Sequence, residues 1–413
     1  MIIKNLFGAD LIVGNGLEIT PSFAYKLSGA LVKVFKRKNI SFVIGYDTRQ
    51  QSRALAHSLV EGLLKLGAKV FFVDKTTSGG ISFAVKHYKA TAGVLVTASE
   101  KLFIYNGFKI FNGNGFKISD EQMSAVKYSV LHDTYEYNNT CAEMFFETDF
   151  NEIYAKYLLS FVEKKNNFVI DVAHGSGAVV AQYLSRHIDI TVENSAFNGF
   201  DINYDCGINN LNAKQGKWYI KIDGDGDKIV AISPNGKVLK GDAITTLFSL
   251  YYNEPCVTNL LTNNSYFDLL DKHNIKYELT GLGERRLVDT MLKKGYNLCG
   301  ERNGSVIMFN TKTSDAFITA IKLANMFNDE VCDKVLSLHL IPHKDLKYSL
   351  NYEKIHNNQF EIMVAESERL LENCGKIIVR INHVEQIINV YIESLDLLKM
   401  EQVKNKFDKY LSI

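Results

Sequence analysis

Between two apolar runs, Ile220-Lys-Ile222 and Ile229-Val-Ala-Ile232, the chain carries Asp223-Gly-Asp-Gly-Asp-Lys228, three carboxylates at alternate positions separated by glycines. Gathering Asp223, Asp225 and Asp227 at a strand end sets like charges against one another unless a divalent cation lies among them. Mg²⁺ is the expected ion. Asp and Gly are also good turn residues, so a plain acidic turn is the competing reading. A calcium helix-loop-helix site fits poorly, because it wants Gly at the sixth position and Glu at the twelfth, where this chain has Lys228 and Pro234. A phosphatase with a strand-end Asp-x-Asp stays open on these residues alone.

Composition bounds the rest. The 413 residues are 46% hydrophobic and 23% charged, enough for several cores and about two to four domains. A net charge of +1 with interspersed signs gives no basic field, and no aromatic-plus-basic stripe is present, which argues against nucleic acid. Cys141, Cys206, Cys256, Cys299, Cys332 and Cys374 are scattered without metal or disulfide spacing. The segment Met1-Ile-Ile-Lys-Asn-Leu-Phe7 lacks the apolar core of a signal peptide, and no run approaches membrane-spanning length. A cytoplasmic protein with no membrane partner is expected.

Ser41 to Asp47 reads as a buried strand, Gln51 to Leu66 as a helix and Lys69 to Val73 as a second strand. That β-α-β layout recurs at Phe168 to Val172 with a helix after Gly177, and at Pro255 to Leu261 with a helix from Tyr266 to Lys272. Three α/β modules follow. The last 75 or so residues read as a small α+β domain, with a helix from Gln359 to Cys374, two strands at Lys376 to Ile381 and Ile387 to Glu393, and a terminal helix from Leu395.

A second cluster lies in Gly93 to Phe111, where an apolar strand delivers Ser99 to a loop, and Gly107 and Lys109 open the next strand. A loop serine carries phosphate if a cation neutralises it, and a nearby lysine moves protons at a sugar hydroxyl. Alone the signal is weak, since most loop serines are turn residues.

The order of motifs resembles that of the α-D-phosphohexomutases, particularly the bacterial phosphoglucosamine mutases, across nearly the whole chain. Leu6 to Gly14, Ile44-Gly-Tyr-Asp-Thr-Arg49, Thr97-Ala-Ser99, Asn106-Gly-Phe-Lys109, Val169 to Gly177, Asp223 to Lys228, Leu282-Gly-Glu-Arg285, Gly300-Glu-Arg-Asn-Gly-Ser305 and Thr313 to Ala316 carry it. The resemblance implies three similar α/β/α mixed-sheet domains and a small C-terminal α+β domain around a central cleft. Their expected bounds are 1–142, 143–237, 238–338 and 339–413. It further implies that phosphorylated Ser99 exchanges its phosphoryl group with a hexose phosphate through a bisphosphorylated intermediate, with a hexose bisphosphate as activator. Ser99, Asp223, Asp225 and Asp227 would hold Mg²⁺, and Lys109 would do acid/base work. Arg49, catalytic with Ser99 and Lys109, and Arg285 would serve phosphate oxygens, with Lys228, Glu301, Asn303, Ser305, Arg380 and Asn382 completing the substrate contacts. A monomer or homodimer is expected.

Several positions depart from the family pattern. Val13 replaces an arginine, Glu100 the histidine after the phosphoserine, Lys101-Leu102 an Asn-Pro, and Lys228 an arginine. Asn303 and Ser305 stand where serine and histidine are expected, and Arg380 to Gln386 keeps Arg380 and Glu385 but loses the Ser-Gly-Thr of the phosphate clamp. Glu100 beside a phosphoserine is repelled unless Lys101 or the metal offsets it, by about 4 kcal/mol per unit-charge pair at about 4 Å and an effective dielectric near 20. Two readings follow: a working, divergent mutase, with glucosamine phosphate favoured, or a mutase-fold protein that binds a sugar phosphate or a partner without turnover.

Overall fold

A computed structural model describes residues 6–8, 10–137, 142–164, 166–309, 311–383 and 386–411. Cys141 and, in the clamp segment, Val384 and Glu385 lie outside these residues.

The first sheet is built from β1 (Ile12–Asn15), β2 (Ser41–Tyr46), β3 (Lys69–Lys75), β4 (Ala92–Val96), β5 (Tyr105–Asn112) and β6 (Met144–Phe146), in the order β1-β5-β4-β2-β3-β6. Its parallel centre reads as continuous apolar runs because both faces are covered. Phe42, Ile44 and Tyr46 point to one apolar cluster, while Val43 between them joins the other. Residues 144–146 pair with β3, so they lie in the first sheet although the sequence reading starts the second domain at 143.

The second sheet, from β7 (Phe168–Asp171), β8 (Ile190–Glu193), β9 (Tyr219–Ile222), β10 (Ile229–Ile232) and β11 (Val238–Leu239), runs β11-β10-β9-β7-β8. The third, from β12 (Cys256–Asn259), β13 (Tyr277–Thr280), β14 (Leu298–Gly300) and β15 (Val306–Met308), runs β13-β12-β14-β15. Helices flank these mixed sheets, and one apolar cluster spans all three, from Val43 and Ile81 through Ile220 and Ile222 to Leu298 and Phe317. The sites carried by these sheets therefore share one packed interior.

The last sheet holds three strands where the sequence predicts two: β16 (His343–Ser349), β17 (Gly375–Asn382) and β18 (Ile387–Ser394), in the antiparallel order β16-β18-β17. The extra strand, His343-Lys-Asp-Leu-Lys-Tyr-Ser349, is an edge rich in charge, which hides it from an apolar-run reading. Ile388, Val390, Ile392, Phe360 and Phe407 form a separate core. Polar contacts tie this sheet to the third: Arg302 donates to Asp345 at 2.8 Å, Lys376 to the Thr262 carbonyl at 2.6 Å, and Asn263 to the Ile341 carbonyl at 2.9 Å. Among the described residues no helix is long and apolar enough to cross a membrane.

Candidate active site

Beyond β4 the chain turns through Thr97 and Ala98 into Ser99, which takes a left-handed φ of +53°. A non-glycine residue there is strained by about 1 to 3 kcal/mol and persists only where its surroundings over-determine it. Here they do. The Ser99 N–H donates to Thr97 Oγ1 at 3.0 Å, and its carbonyl accepts from Arg49 Nη2 at 2.9 Å and Asn203 Nδ2 at 2.7 Å.

Arg49 is buried, and all five of its donors are spent on this support. Nε bonds Asp47 at 2.8 Å, Nη1 the carbonyls of Leu102 and Tyr105 at 2.6 and 3.1 Å, and Nη2 those of Ser99 and Lys101 at 2.9 and 2.7 Å. It shapes the serine loop, whereas the sequence reading assigns it to phosphate oxygens and to catalysis. A guanidinium with every donor satisfied has nothing left for a phosphate.

The three aspartates occupy the hairpin between β9 and β10. Gly226 has a φ of +66°, which turns the chain tightly enough to bring all three inward. A Cβ on Gly175 would lie 2.2 Å from the Gly224 carbonyl, so the β7 loop closes over the hairpin only as glycine. All three carboxyls are buried, and one oxygen from each lies within 4.8 Å of the others. Asp223 Oδ1 accepts the N–H groups of Asp227 and Lys228 at 3.0 Å each, and Asp223 Oδ2 accepts from Ser99 Oγ at 2.7 Å. Ser78 Oγ donates to Asp225 Oδ2 at 2.9 Å, while Asp225 Oδ1 is buried without a hydrogen-bond partner. An all-oxygen donor set with one orphaned carboxylate oxygen, next to a serine oxygen, fits a hard cation of the Mg²⁺ type.

Lysines neutralise this cluster from the side of the first sheet. Lys109 Nζ pairs with Asp225 at 2.7 Å and with Asp227, and lies 3.4 Å from Ser99 Oγ. Lys117 Nζ bridges Asp227 at 3.2 Å and Glu284 at 2.7 Å, and Glu284 in turn accepts from Thr313 Oγ1 at 2.6 Å. Burial lowers the Lys109 ammonium, but Asp225 and Asp227 outweigh it and raise it above its usual range. Lys117 is raised well above its usual value, burial again being overcome, here by Glu284 and Asp227. Burial, with the charges of Asp225 and Asp227, pushes Asp223 up, whereas in Asp227 the lysines overcome burial and hold it down. Lys109 is thus a cation poised to donate to Ser99 Oγ rather than a free base.

Sequence reasoning missed Lys117 and Glu284. The signal was present: Asn106-Gly-Phe-Lys109 is repeated letter for letter as Asn114-Gly-Phe-Lys117, and only its first copy was used. Glu284 lies beside the chosen Arg285. Arg285 itself binds Asp289 at 2.9 Å and the Lys117 carbonyl at 3.0 Å.

Glu100 and Lys228, two departures from the family pattern, meet in an ion pair. Burial raises the Glu100 carboxyl, yet Lys228 overrides it and holds it at about 2. Lys228 is the larger counter-charge to Glu100, and Lys101, to which the sequence reading looks, adds a smaller one. On the third sheet, Glu301 is buried and accepts from Asn259 at 2.7 Å and Asn303 at 2.8 Å, and burial raises its pKa. Asn303 Oδ1 accepts the Ser305 N–H at 2.9 Å, and Ser305 bridges to Lys228, joining this loop to the aspartate hairpin. Arg380 and Asn382 sit on β17, and no hydrogen bond or ion pair described connects Arg380 to the cluster around Ser99.

A serine oxygen held against buried carboxylates and a lysinium, on stacked α/β/α layers, defines a phosphoryl-transfer type of site. The chain matches the profiles for phosphoglucomutase/phosphomannomutase, alpha/beta/alpha domain I, over residues 4–136 and domain III over residues 240–340, together more than half its length. It belongs to the phosphoglucomutase/phosphomannomutase family. It is similar to the phosphoglucosamine mutase of Anoxybacillus flavithermus, 29% identical with 94% of each chain covered. Its fold matches a family protein from Burkholderia thailandensis with a TM-score of 0.81 at 16% identity, covering 99% of this chain and 97% of the other. It also matches N-acetylphosphoglucosamine mutase of Aspergillus fumigatus, in complex with GlcNAc-6P and magnesium, with a TM-score of 0.64 at 14% identity, covering 95% and 99%.

Proposed function

We propose that this chain is a phosphohexomutase that moves a phosphoryl group between the 1- and 6-positions of a hexose phosphate, glucosamine phosphate first, through phosphorylated Ser99 and a bisphosphorylated sugar. The observation that carries this reading is Ser99 Oγ at 2.7 Å from Asp223 and 3.4 Å from Lys109 Nζ, in a buried cluster. Phosphoryl transfer asks the protein mainly for positioning and charge neutralisation. When phosphoserine yields its group, the P–Oγ bond breaks, a P–O bond forms at the sugar hydroxyl, Lys109 supplies the proton that Ser99 Oγ takes up, and the proton leaving the sugar hydroxyl restores the Lys109 ammonium. Transfer of the other phosphate back to Ser99 reverses these steps.

Ser99, Asp223, Asp225 and Asp227 would hold Mg²⁺, which when bound withdraws charge from the transferring group. Arg49 and Asn203 fix the serine loop, Glu301 accepts from sugar hydroxyls with Asn303 and Ser305 beside it, and Lys228 and Arg285 face the phosphate. Arg380 and Asn382 complete the site from the last domain. The first domain runs through β6, the later boundaries fall near 237 and 338, and the setting is cytoplasmic. Sugar phosphate and magnesium in the Aspergillus relative support the same ligand classes here.

The test is phosphosite mapping after incubation with Mg²⁺ and a hexose 1,6-bisphosphate, beside an interconversion assay of glucosamine, glucose and mannose phosphates. Label on Ser99 with turnover of one sugar is expected. Unlabelled Ser99 and no interconversion would replace this reading with a binding protein.

A further inference from the structure

A second recess, of about 290 Å³, opens where the helix Ser78–His87 meets the segment after β15. Gly79, Ser82, Phe83 and Lys86 line it from one face of the helix, at the i, i+3, i+4, i+7 spacing, with His87 and Tyr157 beside them and Lys312 opposite. Its lining carries two lysines and one acid. Lys86, His87, Tyr157 and Lys312 each present an N–H or O–H with no hydrogen bond or ion pair among the described residues.

Asp315 is the one acid in the lining, and it is already used. Its Oδ2 accepts from Tyr154 at 2.5 Å and its Oδ1 caps the next helix through the N–H groups of Phe317 and Ile318 at 3.0 and 3.2 Å. The two lysines therefore share the recess with no counter-charge from its lining, and Lys312 Nζ lies 5.3 Å from the Phe116 ring centroid. Burial lowers the Lys312 ammonium and the Lys86 charge lowers it further, a tension that a bound anion relieves. Phe83 packs against His87 at 5.6 Å and Tyr157 at 4.7 Å, and the three rings together supply an aromatic wall. The volume lies at the small end for ligand pockets.

We propose that this recess is a second binding site for a small phosphomonoester, with the phosphate on Lys86 and Lys312 and the ring-bearing body on Phe83. It is distinct from the Ser99 cluster, and Thr313 stands between them: its side chain lines the recess and its hydroxyl donates to Glu284, the partner of Lys117. The binding does not depend on the mutase reading.

Titration calorimetry of the full chain with glucose 6-phosphate, AMP and inorganic phosphate tests it. The wild type and Ser99→Ala should each bind one of the organic phosphates at this site, and Lys86→Ala with Lys312→Ala should weaken that binding by at least about tenfold, near 1.4 kcal/mol. If the double variant unfolds, Lys86→Glu, a change at an exposed side chain, must abolish the same binding. Tighter glucose 6-phosphate identifies a sugar phosphate and tighter AMP a nucleotide. Equal affinity for inorganic phosphate overturns the role of the Phe83 wall, and an isotherm unchanged in the lysine variants, or no binding of any probe, overturns the site.

Discussion

Around Ser99 the charged side chains are buried and paired: Asp225 and Asp227 with Lys109, Lys117 with Glu284, and Arg49 with Asp47. On the C-terminal sheet Arg380 stands exposed, above a core that shares no residue with the apolar cluster joining the first three sheets. The first region is set by packing, because its loops spring from sheets with a common interior. The second is attached by polar contacts such as Arg302 to Asp345 and Lys376 to Thr262. A phosphoryl group needs a rigid, dry cradle, whereas admitting and turning a sugar phosphate calls for an element that detaches cheaply. Under the proposed function, the difference suits the first region to chemistry and the second to substrate capture.

The contrast breaks most sharply at the two polar ends of the site. Ser99→Ala should remove interconversion completely, since Ala98, Glu100, Lys101 and Leu102 offer no substitute hydroxyl. Arg380→Ala should raise KM by about ten- to a hundredfold, the loss of one or two charge-assisted hydrogen bonds, with kcat little changed. Steady-state kinetics on both variants checks this, and a collapse of kcat in Arg380→Ala would place chemistry on the last sheet.

Next in size is Lys117→Met. It leaves Glu284 buried with no cation and Asp227 with one fewer, so urea unfolding should show a loss of about 3 to 5 kcal/mol. A loss below about 1 kcal/mol would mean that water enters the cluster.

Arg302→Ala acts on the attachment instead. It removes the bond to Asp345 and the packing over the Tyr391 ring at 4.8 Å. We expect about 1 to 2 kcal/mol, confined to the contact between the third and last sheets. Hydrogen exchange should rise in β16 and stay unchanged in β9 and β10.

The smallest effect is at Glu100. Its folded carboxyl is held below its usual 4.5, at about 2, by Lys228 overriding burial, so the folded chain binds fewer protons than the unfolded one. The stability this contributes is fully present above pH 4.5 and fades as pH falls toward about 2. Glu100 is about a third exposed, and screening keeps the term below about 1 kcal/mol. Glu100→Gln should lower the melting temperature at neutral pH by a correspondingly small amount, and the difference from wild type should shrink as pH falls from 4.5 toward about 2.

Apolar periodicity made β2, β3, β7, β12 and the helices after β2, β7 and β12 legible, because a strand buried on both faces and an amphipathic helix each leave a pattern in the letters. The aspartate hairpin was legible for a chemical reason, the repulsion of carboxylates set between glycines, whereas the Ser99 loop was a weak signal until the order of motifs gave it a resemblance. Charged edge strand β16 left no such pattern, since solvent accepts its side chains whatever their order.

Partnership was decided by the tertiary structure alone. Arg49 binds loop carbonyls more than fifty residues away, Lys117 reaches Asp227 and Glu284, and Glu100 pairs with Lys228, 128 residues along the chain. A charge on a sequence is a demand for some counter-charge, and the sequence by itself determined that demand. Which counter-charge meets it depends on distances set when separate sheets pack on one core, because a Coulomb interaction is read across space and not along the chain.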